Sequence, residues 1–275
     1  MSLSRLHPVW LAVALAASGA AAADDGFSAC LTMFPGEEAP SGRDPYDADL
    51  CKMLHGEPVF AVRYDTRRKW PDWTAHRLTR DHAGRLQSRA RPRFYPDAAL
   101  PNVAQTRDAT FTRSGFSRGH LVPAHDLSWD GDAYRMSFAL TNVAAQIQAF
   151  NAGAWLDMEN AYRDAVKRLD VPVWSISGVY GDGGRLVGEP PYETVPPRCF
   201  YKILATRHGD GTWDVLAAVF PFDDTASTAD WRNRVTSVSR IAERSGVRFP
   251  EILAAARLNA EPIWGRTGDG IADCR

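Results

Sequence analysis

The sequence predicts an α+β fold, and two patterns along the chain lead to this prediction. Residues 151–169 carry apolar side chains at steps of three and four positions, which is the spacing of an amphipathic helix. Elsewhere, short apolar runs separated by Gly, Pro and polar residues indicate strands. These strands and helices follow one another in no regular order, so the βαβ repeat of a parallel doubly wound sheet is not expected.

The first half of the chain predicts one pair of strands between irregular segments. Residues 24–54 are rich in Pro, Gly and acidic residues and predict an irregular N-terminal arm. The apolar run Pro58–Tyr64 predicts a strand, and Trp73–Leu78, which alternates polar and apolar residues, predicts its partner. The polar residues 65–69 form the turn between them. Residues 94–114 contain two prolines and several polar residues, and we expect them to form a long loop.

The second half of the chain predicts two helices and most of the strands. Apolar runs indicate four more strands, at Phe138–Val143, Val171–Ser177, Phe200–Ala205 and Trp213–Phe220. The helix of residues 151–169 is expected to begin at Asn151, because an asparagine side chain suits an N-cap. A second amphipathic helix is expected at Thr228–Ser245, with Gly246 ending it.

Composition indicates a folded protein without a strong charge bias. The chain has 275 residues, of which 45% are hydrophobic and 24% charged, and its formal net charge is −1. This balance does not mark a nucleic-acid-binding protein by itself. One 17-residue stretch is locally basic and contains six arginines: Arg77, Arg80, Arg85, Arg89, Arg91 and Arg93. This stretch is compatible with a nucleic-acid-binding surface and equally with a solvated hairpin.

The N-terminus has the pattern of a secretion signal. Arg5 precedes the apolar run Val9–Ala17, and small residues at Ala20–Ala23 provide a cleavage site. We therefore expect residues 1–23 to be removed and residues 24–275 to be exported as a single domain, to a periplasm or to the outside of the cell. No later segment is long and apolar enough to span a bilayer, so no membrane partner is expected.

Four cysteines remain in the exported part of the chain, and an oxidising compartment favours disulfides. Three pairings are open to four cysteines. We expect the two pairings between neighbours in sequence, Cys30–Cys51 and Cys199–Cys274. A zinc site is the alternative, but it is disfavoured because no two cysteines stand in a CxxC spacing.

The run from Gly115 to Asp126 is the most informative motif in the chain. Within it, Arg118 stands two positions before His120, with Gly119 between them. A guanidinium is a permanent positive charge that binds phosphate, and an imidazole can transfer protons near neutral pH. Together they indicate chemistry on a phosphate ester, although Arg-Gly-His alone is also compatible with a plain surface turn.

The helix of residues 151–169 carries a second polar set: Asn151, Glu159 and Arg163. At about 100° per residue the three side chains fall on one stripe, and Glu159 and Arg163 are four residues apart and can pair. A capping asparagine and an ordinary surface salt bridge would also account for this set. Beside a phosphodiester, however, an amide oxygen can anchor Mg²⁺, a carboxylate can order its waters and an arginine can bind phosphate.

Three stretches together resemble a known family: Phe116–Asp126, Thr141–Gln146 and Asn151–Glu159. The family pattern is Asp-Arg-Gly-His, then Ser-Asn-x-x-Pro-Gln, then Asn-x-x-x-Trp-x-x-Leu-Glu. It is the pattern of the DNA/RNA non-specific endonucleases, the Serratia-type and endonuclease G-like nucleases. The likeness covers roughly residues 55–265. It implies a mixed or antiparallel central sheet with flanking helices and a ββα-metal (His-Me finger) active-site core.

The resemblance also implies roles for the motif residues. His120 would be the general base, Asn151 the direct protein ligand of one Mg²⁺, and Glu159 a residue that holds the ion through water. Mn²⁺ or another divalent cation is an alternative to Mg²⁺. Arg118 and Arg163 would bind phosphate or position Glu159. The family uses a further upstream arginine against the transition state, and Arg91 and Arg93 both lie near its place, with a slight preference for Arg93.

The rest of the matching pattern implies support for the site and a reaction outcome. Asn142 and Gln146 match family residues that we expect to support the active site. The implied substrates are DNA and RNA, bound through the phosphate backbone and cut to 5′-phosphate and 3′-hydroxyl ends. Two positions depart from the family pattern: Ser117 replaces the aspartate before Arg-Gly-His, and Ala145 replaces a proline.

The sequence therefore predicts an exported Mg²⁺-dependent endonuclease with little sequence preference. Two alternatives remain: a catalytically weakened nuclease fold that binds nucleic acid, for which Ser117 is the main support, and a secreted phosphodiesterase acting on small substrates. An inhibitor or immunity protein is compatible with an exported nuclease, but no residue pattern identifies one. Oligomeric state is not determined by the sequence.

Overall fold

An antiparallel sheet forms the centre of the protein. The computed structural model describes residues 26–42, 44–223, 230–255 and 273–274. Within these residues the sheet has seven strands, in the spatial order β1-β2-β3-β6-β7-β8-β9, with every neighbouring pair antiparallel. The strands are β1 (Asp47–Leu54), β2 (Glu57–Asp65), β3 (Trp70–Leu78), β6 (Val173–Asp182), β7 (Pro197–Arg207), β8 (Trp213–Pro221) and β9 (Val235–Thr236).

A separate two-stranded ribbon and short helices complete the described part of the chain. The ribbon pairs β4 (Ser117–His120) with β5 (Val143–Gln146) in antiparallel register. The helices are α1 (Arg80–Gly84), α2 (Gly131–Met136), α3 (Gln148–Ala152), α4 (Ala154–Leu169), α5 (Val238–Ser245) and α6 (Glu251–Ala255). This mixture of an antiparallel sheet with helices confirms the α+β prediction.

The central sheet is covered on both faces, because alternate residues of a strand point to opposite sides. On β7, Phe200 and Leu204 pack into the apolar cluster that contains Trp155 of α4. Their neighbours Tyr201 and Ile203 pack into the opposite cluster, which also contains residues of α5 and of the N-terminal segment. Helix α4, with its polar residues, is thereby fixed against one face of the sheet.

The prediction of an irregular arm over residues 24–54 is wrong for its last eight residues, which form β1. β1 is an edge strand with only two buried residues, so it lacks the apolar pattern by which strands are recognised. It is held instead by its backbone pairing with β2 and by the disulfide between Cys51 and Cys30.

The predicted start of the long helix at Asn151 is also wrong. Asn151 lies inside the short helix α3, and α4 begins one residue after Gly153. Gly153 has backbone angles of φ −108° and ψ −117°, which interrupt the helical path between α3 and α4. Asn151 therefore does not cap α4, and its side chain is placed by a separate helical turn.

Two further boundaries differ from the predictions because side chains bond to the backbone. Leu140–Asn142 form a 3₁₀ turn rather than a strand, since Asn142 bonds to two backbone carbonyls, and β5 begins only at Val143. The helix expected at Thr228–Ser245 begins at Val238, where the Ser237 hydroxyl caps it by accepting the Arg240 N–H at 3.1 Å. Residues 228 and 229 lie outside the described residues.

Other predictions are confirmed. The strands expected around Pro58–Tyr64, Trp73–Leu78, Phe200–Ala205 and Trp213–Phe220 are present, and Gly246 ends α5 in a left-handed conformation with φ 76°. The disulfides Cys30–Cys51 and Cys199–Cys274 are both formed, which leaves no thiolate for the alternative zinc site. The predicted signal, residues 1–23, lies outside the described residues. Within the part of the chain that is described, no helix has the length and apolarity needed to cross a membrane.

Candidate active site

His120 ends β4, and the backbone just beyond it is held by Asn142. The N–H of Leu121 donates to the Asn142 carbonyl at 3.0 Å, and the N–H of Val122 donates to Asn142 Oδ1 at 2.9 Å. The Asn142 amide returns a bond to the Val122 carbonyl at 3.0 Å. Asn142 is fully buried. It therefore fixes the direction in which the chain leaves the histidine.

The glycine of Arg-Gly-His is required by packing. Gly119 lies in β4 opposite Ala144, within a strand rather than a turn. A Cβ at this position would overlap both the amide and the Cγ of Gln146. The Gln146 amide is buried, and neither of its polar atoms has a hydrogen-bond partner among the described residues. Gln146 thus lies directly over the backbone that leads to His120.

The imidazole of His120 lies between two aromatic rings. The ring centroids of Phe94 and Phe138 are 5.1 Å and 4.8 Å from that of His120. Burial, and secondly the positive charge of Arg91, lower the pKa of His120 from its ordinary 6.5 to about 3. The ring is therefore neutral at pH 7. Its Nε2 is buried and has no hydrogen-bond partner among the described residues.

An open cavity of about 350 Å³ adjoins this histidine. Four of the predicted site residues line it: His120, Asn151, Glu159 and Arg163. They come from three different elements, since β4 carries the histidine, α3 the asparagine, and α4 the Glu159–Arg163 pair. The structure therefore brings together residues that are 31 or more positions away from His120 in the sequence. His125 lines the same cavity and is exposed.

The helix that carries Asn151 is linked to the histidine strand through Ser117. The Ser117 hydroxyl donates to Oε1 of Gln148, which is the first residue of α3. Ser117 also pairs with Gln146 across the β4–β5 ribbon. The residue that departs from the family pattern therefore makes its own polar connection between β4 and α3.

Glu159 is a buried carboxylate that two cations hold. Arg163 Nη2 donates to Glu159 Oε2 at 3.0 Å, and Lys202 Nζ lies 3.9 Å from Oε1. Lys202 also donates to Ser177 Oγ at 2.8 Å and lies 4.1 Å from the ring centroid of Trp155. Burial raises the pKa of Glu159 to about 7, against the opposing charges of Lys202 and Arg163. Burial likewise lowers the pKa of Lys202 to about 8.

Asp126 anchors the other side of Arg163. It is buried and accepts hydrogen bonds from Arg163 Nε and the Tyr162 hydroxyl, and its Oδ2 lies 2.9 Å from His76 Nε2. The charge of Arg163 and the bond from His76 hold the pKa of Asp126 below its usual range, although burial opposes them. Arg163 is therefore fully engaged, since its remaining nitrogen Nη1 donates to Asn160 Oδ1 at 2.6 Å.

The other predicted arginines do not line the cavity. Arg118 forms an ion pair with Asp108 and donates to Thr112 Oγ1 at 3.3 Å. Arg91 is exposed, and its guanidinium lies 5.3 Å from the ring centroid of Phe94 and 5.9 Å from that of Phe138, the two rings that flank His120. Arg93 is also exposed, and among the described residues it is the Arg91 guanidinium, not that of Arg93, that lies over these rings. Arg91, rather than the initially preferred Arg93, is thus the arginine placed beside His120.

Sequence reasoning did not assign roles to Asp126, His76, Lys202 or Tyr162. Two of them carried a usable signal: Lys202 interrupts the apolar strand run Phe200–Ala205, and Asp126 closes the same run that contains His120. His76 and Tyr162 had none, because each stands at a position that reads as ordinary strand or helix interior. Among the described residues, no three His, Cys, Asp or Glu side chains form a metal-binding group. The cavity-lining side chains with amide or carboxylate oxygens are Asn151, Glu159 and Asn160, and the Asn160 oxygen already accepts a bond from Arg163.

Comparison with known proteins places this chain in a family. The family model for DNA/RNA non-specific endonucleases matches residues 40–256, which contain every residue of the cavity. The chain belongs to this family. It is a family of metal-dependent nucleases.

Two relatives of this chain are named as mitochondrial nucleases. Nuclease EXOG of Xenopus laevis is 30% identical over 211 residues, covering 69% of this chain and 58% of the relative. Nuclease 1 of Schizosaccharomyces pombe is 27% identical over 212 residues, covering 72% of this chain and 65% of the relative. The matched part therefore spans about three-fifths of the length of these relatives.

The fold is also similar to that of a solved endonuclease structure. The crystal structure of the EndoG/EndoGI complex contains a chain that matches with a TM-score of 0.62 at 20% sequence identity. The match covers 74% of this chain and 86% of that one. At this identity the likeness supports the architecture, and the site must be judged from its own residues.

Proposed function

We propose that the protein is an exported, divalent-metal-dependent endonuclease that hydrolyses DNA and RNA with little sequence preference. The observation that carries this proposal is the single cavity onto which His120, Asn151, Glu159 and Arg163 converge. A neutral imidazole, an amide oxygen and a buried carboxylate at one open site are the parts that phosphodiester hydrolysis requires. Membership of the endonuclease family agrees with this chemistry.

His120 acts as the general base in this proposal. The imidazole takes a proton from a water molecule, the water oxygen attacks phosphorus, the bond between phosphorus and the 3′ oxygen breaks, and the leaving 3′ oxygen takes up a proton from solvent. The lowered pKa of His120 keeps the imidazole unprotonated over the whole neutral range. Cleavage on that side of the phosphate gives 5′-phosphate and 3′-hydroxyl ends.

Asn151 and Glu159 supply the oxygen atoms that would hold the divalent cation. Both line the cavity, and amide and carboxylate oxygens are hard donors that suit Mg²⁺. When bound, such an ion stabilises the negative charge that develops on the phosphate and on the leaving oxygen. Mg²⁺ is the ion we favour, with Mn²⁺ or another divalent cation as the alternative to compare in assays.

The arginines divide into positioning and binding roles. Arg163 is occupied by Asp126, Asn160 and Glu159, so we assign it to positioning Glu159 rather than to binding phosphate. Arg91 is exposed beside the rings that flank His120, and we assign phosphate binding to it in preference to Arg93. Arg118 is tied to Asp108, so a phosphate could reach it only by displacing that ion pair.

Contacts to phosphate and sugar carry no base sequence information, which accounts for broad specificity. Such contacts also make binding weaker as the salt concentration rises. Export rests on the signal pattern of residues 1–23, which directs the mature chain to a periplasm or to the outside of the cell.

A cleavage assay on three substrates tests the proposal. The purified mature protein is incubated with duplex DNA, single-stranded DNA and RNA, each with Mg²⁺ and with EDTA. All three should be cut with Mg²⁺, none with EDTA, and the new 5′ ends should accept label from a kinase only after phosphatase treatment. Intact substrates beside a control nuclease that cuts them would overturn the proposal. Binding without cleavage in several metals would favour the weakened-nuclease alternative, and turnover of bis-p-nitrophenyl phosphate alone would favour the small-substrate phosphodiesterase.

A further inference from the structure

A second cavity lies on the far side of the turn that follows His120. It has a volume of about 470 Å³, which is larger than that of the catalytic cavity. The 3₁₀ turn Ala124–Leu127 separates the two, since Ala124 lines the catalytic cavity and Leu127 lines the second one. The proposed function makes no use of this second cavity, although one short turn of chain contributes to both.

One wall of the second cavity is a pair of flat, stacked rings. His82 and Trp129 are parallel, with 4.2 Å between ring centroids and 4° between ring planes. Burial, together with the charges of Arg85 and Arg77, lowers the pKa of His82, so the imidazole is an uncharged planar surface at neutral pH. Apolar side chains, among them Val59 and Leu127, form the floor.

Two arginines and three acidic residues lie around this wall. Arg77 lines the cavity, its Nε is buried with no hydrogen-bond partner among the described residues, and its guanidinium lies 4.7 Å from the ring centroid of Trp174. Arg85 lies 5.6 Å from the ring centroid of Trp129. Asp130 also lines the cavity, and its carboxylate accepts hydrogen bonds from the backbone N–H groups that begin α2. Arg85 is paired with Asp81, and Glu57 is the other acid among the residues that line the cavity.

We propose that this second cavity binds a nucleobase of the substrate strand, next to the part of the strand held in the catalytic cavity. Stacked aromatic rings with nearby arginines are how proteins bind single-stranded nucleic acid without reading its sequence. A volume of this size admits one small organic group such as a nucleotide. The proposal rests on the proposed function, because it assumes a polynucleotide substrate. It adds a subsite that binds the strand at a position other than the scissile phosphate.

Binding in EDTA tests the subsite without relying on hydrolysis. A labelled deoxyadenosine oligonucleotide is titrated with wild-type protein, Trp129→Ala and the matched control Tyr46→Ala. Tyr46 is an exposed aromatic residue, 50% accessible, that lines neither cavity. Trp129→Ala should weaken binding about tenfold, which is the effect of losing one base stack, while Tyr46→Ala should leave it unchanged.

An abasic oligonucleotide of the same length separates stacking from charge. If a base occupies the cavity, Trp129→Ala should not change the affinity for the abasic strand. Equal loss on both strands, or no loss on either, would overturn the proposal. Trp129 also packs against β1 and β2, so His82→Ala serves as the second variant, with the same expected pattern, should Trp129→Ala not fold.

Deoxyadenosine monophosphate distinguishes a strand from a free nucleotide as the source of the base. Trp129-dependent binding of the oligonucleotide alone assigns the cavity to the strand, and Trp129-dependent binding of both shows that a nucleotide suffices. All of these titrations measure binding in EDTA, so they do not require the protein to cleave nucleic acid. Failure of the subsite and failure of the proposed function are therefore distinguishable.

Discussion

Asp126 shows how much of this site depends on a single residue that contacts no substrate in our proposal. Its buried carboxylate joins His76 on β3 to Tyr162 and Arg163 on α4. Arg163 in turn holds Glu159 at 3.0 Å. The geometry of the proposed metal ligand is thus set through a chain of buried charges.

Replacing Asp126 by Asn should lower both stability and turnover. Removing one partner of a buried ion pair typically costs about 3–5 kcal/mol in the free energy of unfolding, because the other charge stays buried. Asp108→Asn is the matched control, since the Asp108 side chain is 53% exposed and its pair with Arg118 should contribute about 1 kcal/mol or less. Chemical denaturation of both variants checks this prediction, and equal losses would contradict it.

His120 should make stability depend on pH in a defined window. Its pKa in the folded protein is about 3 against an ordinary 6.5, so between these values the unfolded chain binds a proton that the folded chain does not. The free energy of unfolding should therefore fall as the pH falls from 6.5 towards 3. His120→Gln should remove this contribution to the slope of the unfolding free energy against pH, which corresponds to the uptake of up to one proton on unfolding. Unfolding curves measured across this range decide the matter, and identical slopes for the two proteins would refute the assigned pKa shift.

At the level of residues, motif spacing predicted four of the residues that line the cavity, but not the buried charged residues that hold them in place. His120, Asn151, Glu159 and Arg163 belong to continuous motifs, so a linear pattern can find them. Asp126 meets His76 across 50 positions, a contact that leaves no local pattern. The choice between Arg91 and Arg93 also required the structure, because the two stand only two residues apart on an irregular segment.

Among the elements, the β4–β5 ribbon should tolerate little change at its centre. Gly119→Ala would drive a Cβ into Gln146, and because Cγ as well as the amide is overlapped, turning the amide gives no relief. Overpacking of this kind costs about 1–3 kcal/mol, and it should also reduce turnover by displacing His120.

Gly209→Ala is the matched control for the ribbon. Gly209 is exposed in the turn between β7 and β8, a Cβ there meets no atom within 4 Å, and its φ is not in the left-handed region. Thermal unfolding and cleavage rates should be close to wild type for Gly209→Ala and reduced for Gly119→Ala. A Gly119→Ala protein as stable and active as its control would contradict the packing argument.

Strong apolar patterns predicted the interior strands well, and the failures share a physical cause. β1 at the sheet edge, the turn at Asn142 and the cap at Ser237 depend on backbone or side-chain hydrogen bonds rather than on apolar burial. The break at Gly153 depends on a non-helical backbone conformation. Periodicity reports burial alone. It therefore placed Asn151 at the start of α4, whereas the structure puts it in a separate turn, α3.

For the whole molecule, the two disulfides should differ in their contribution to stability. Cys199–Cys274 closes a sequence separation of 75 residues and Cys30–Cys51 one of 21. In the chain-entropy account, such loops contribute about 4 and 3 kcal/mol respectively. Replacing Cys199 and Cys274 by Ala should therefore lower the free energy of unfolding more than replacing Cys30 and Cys51 by Ala. Denaturant unfolding of the two double variants checks this order, and the reverse order would contradict it.

The central sheet supports the active site, because α4 packs on one of its faces. The residues of α4 meet those of β4 and α3 in one cavity. The central claim is that this cavity hydrolyses phosphodiesters with His120 as the base. The most direct test compares the initial rate of plasmid cleavage by wild type and His120→Ala with Mg²⁺, with thermal unfolding confirming that both are folded. We predict a fall of at least about a hundredfold, the contribution of a general base. Comparable turnover by a folded His120→Ala protein would contradict the assignment.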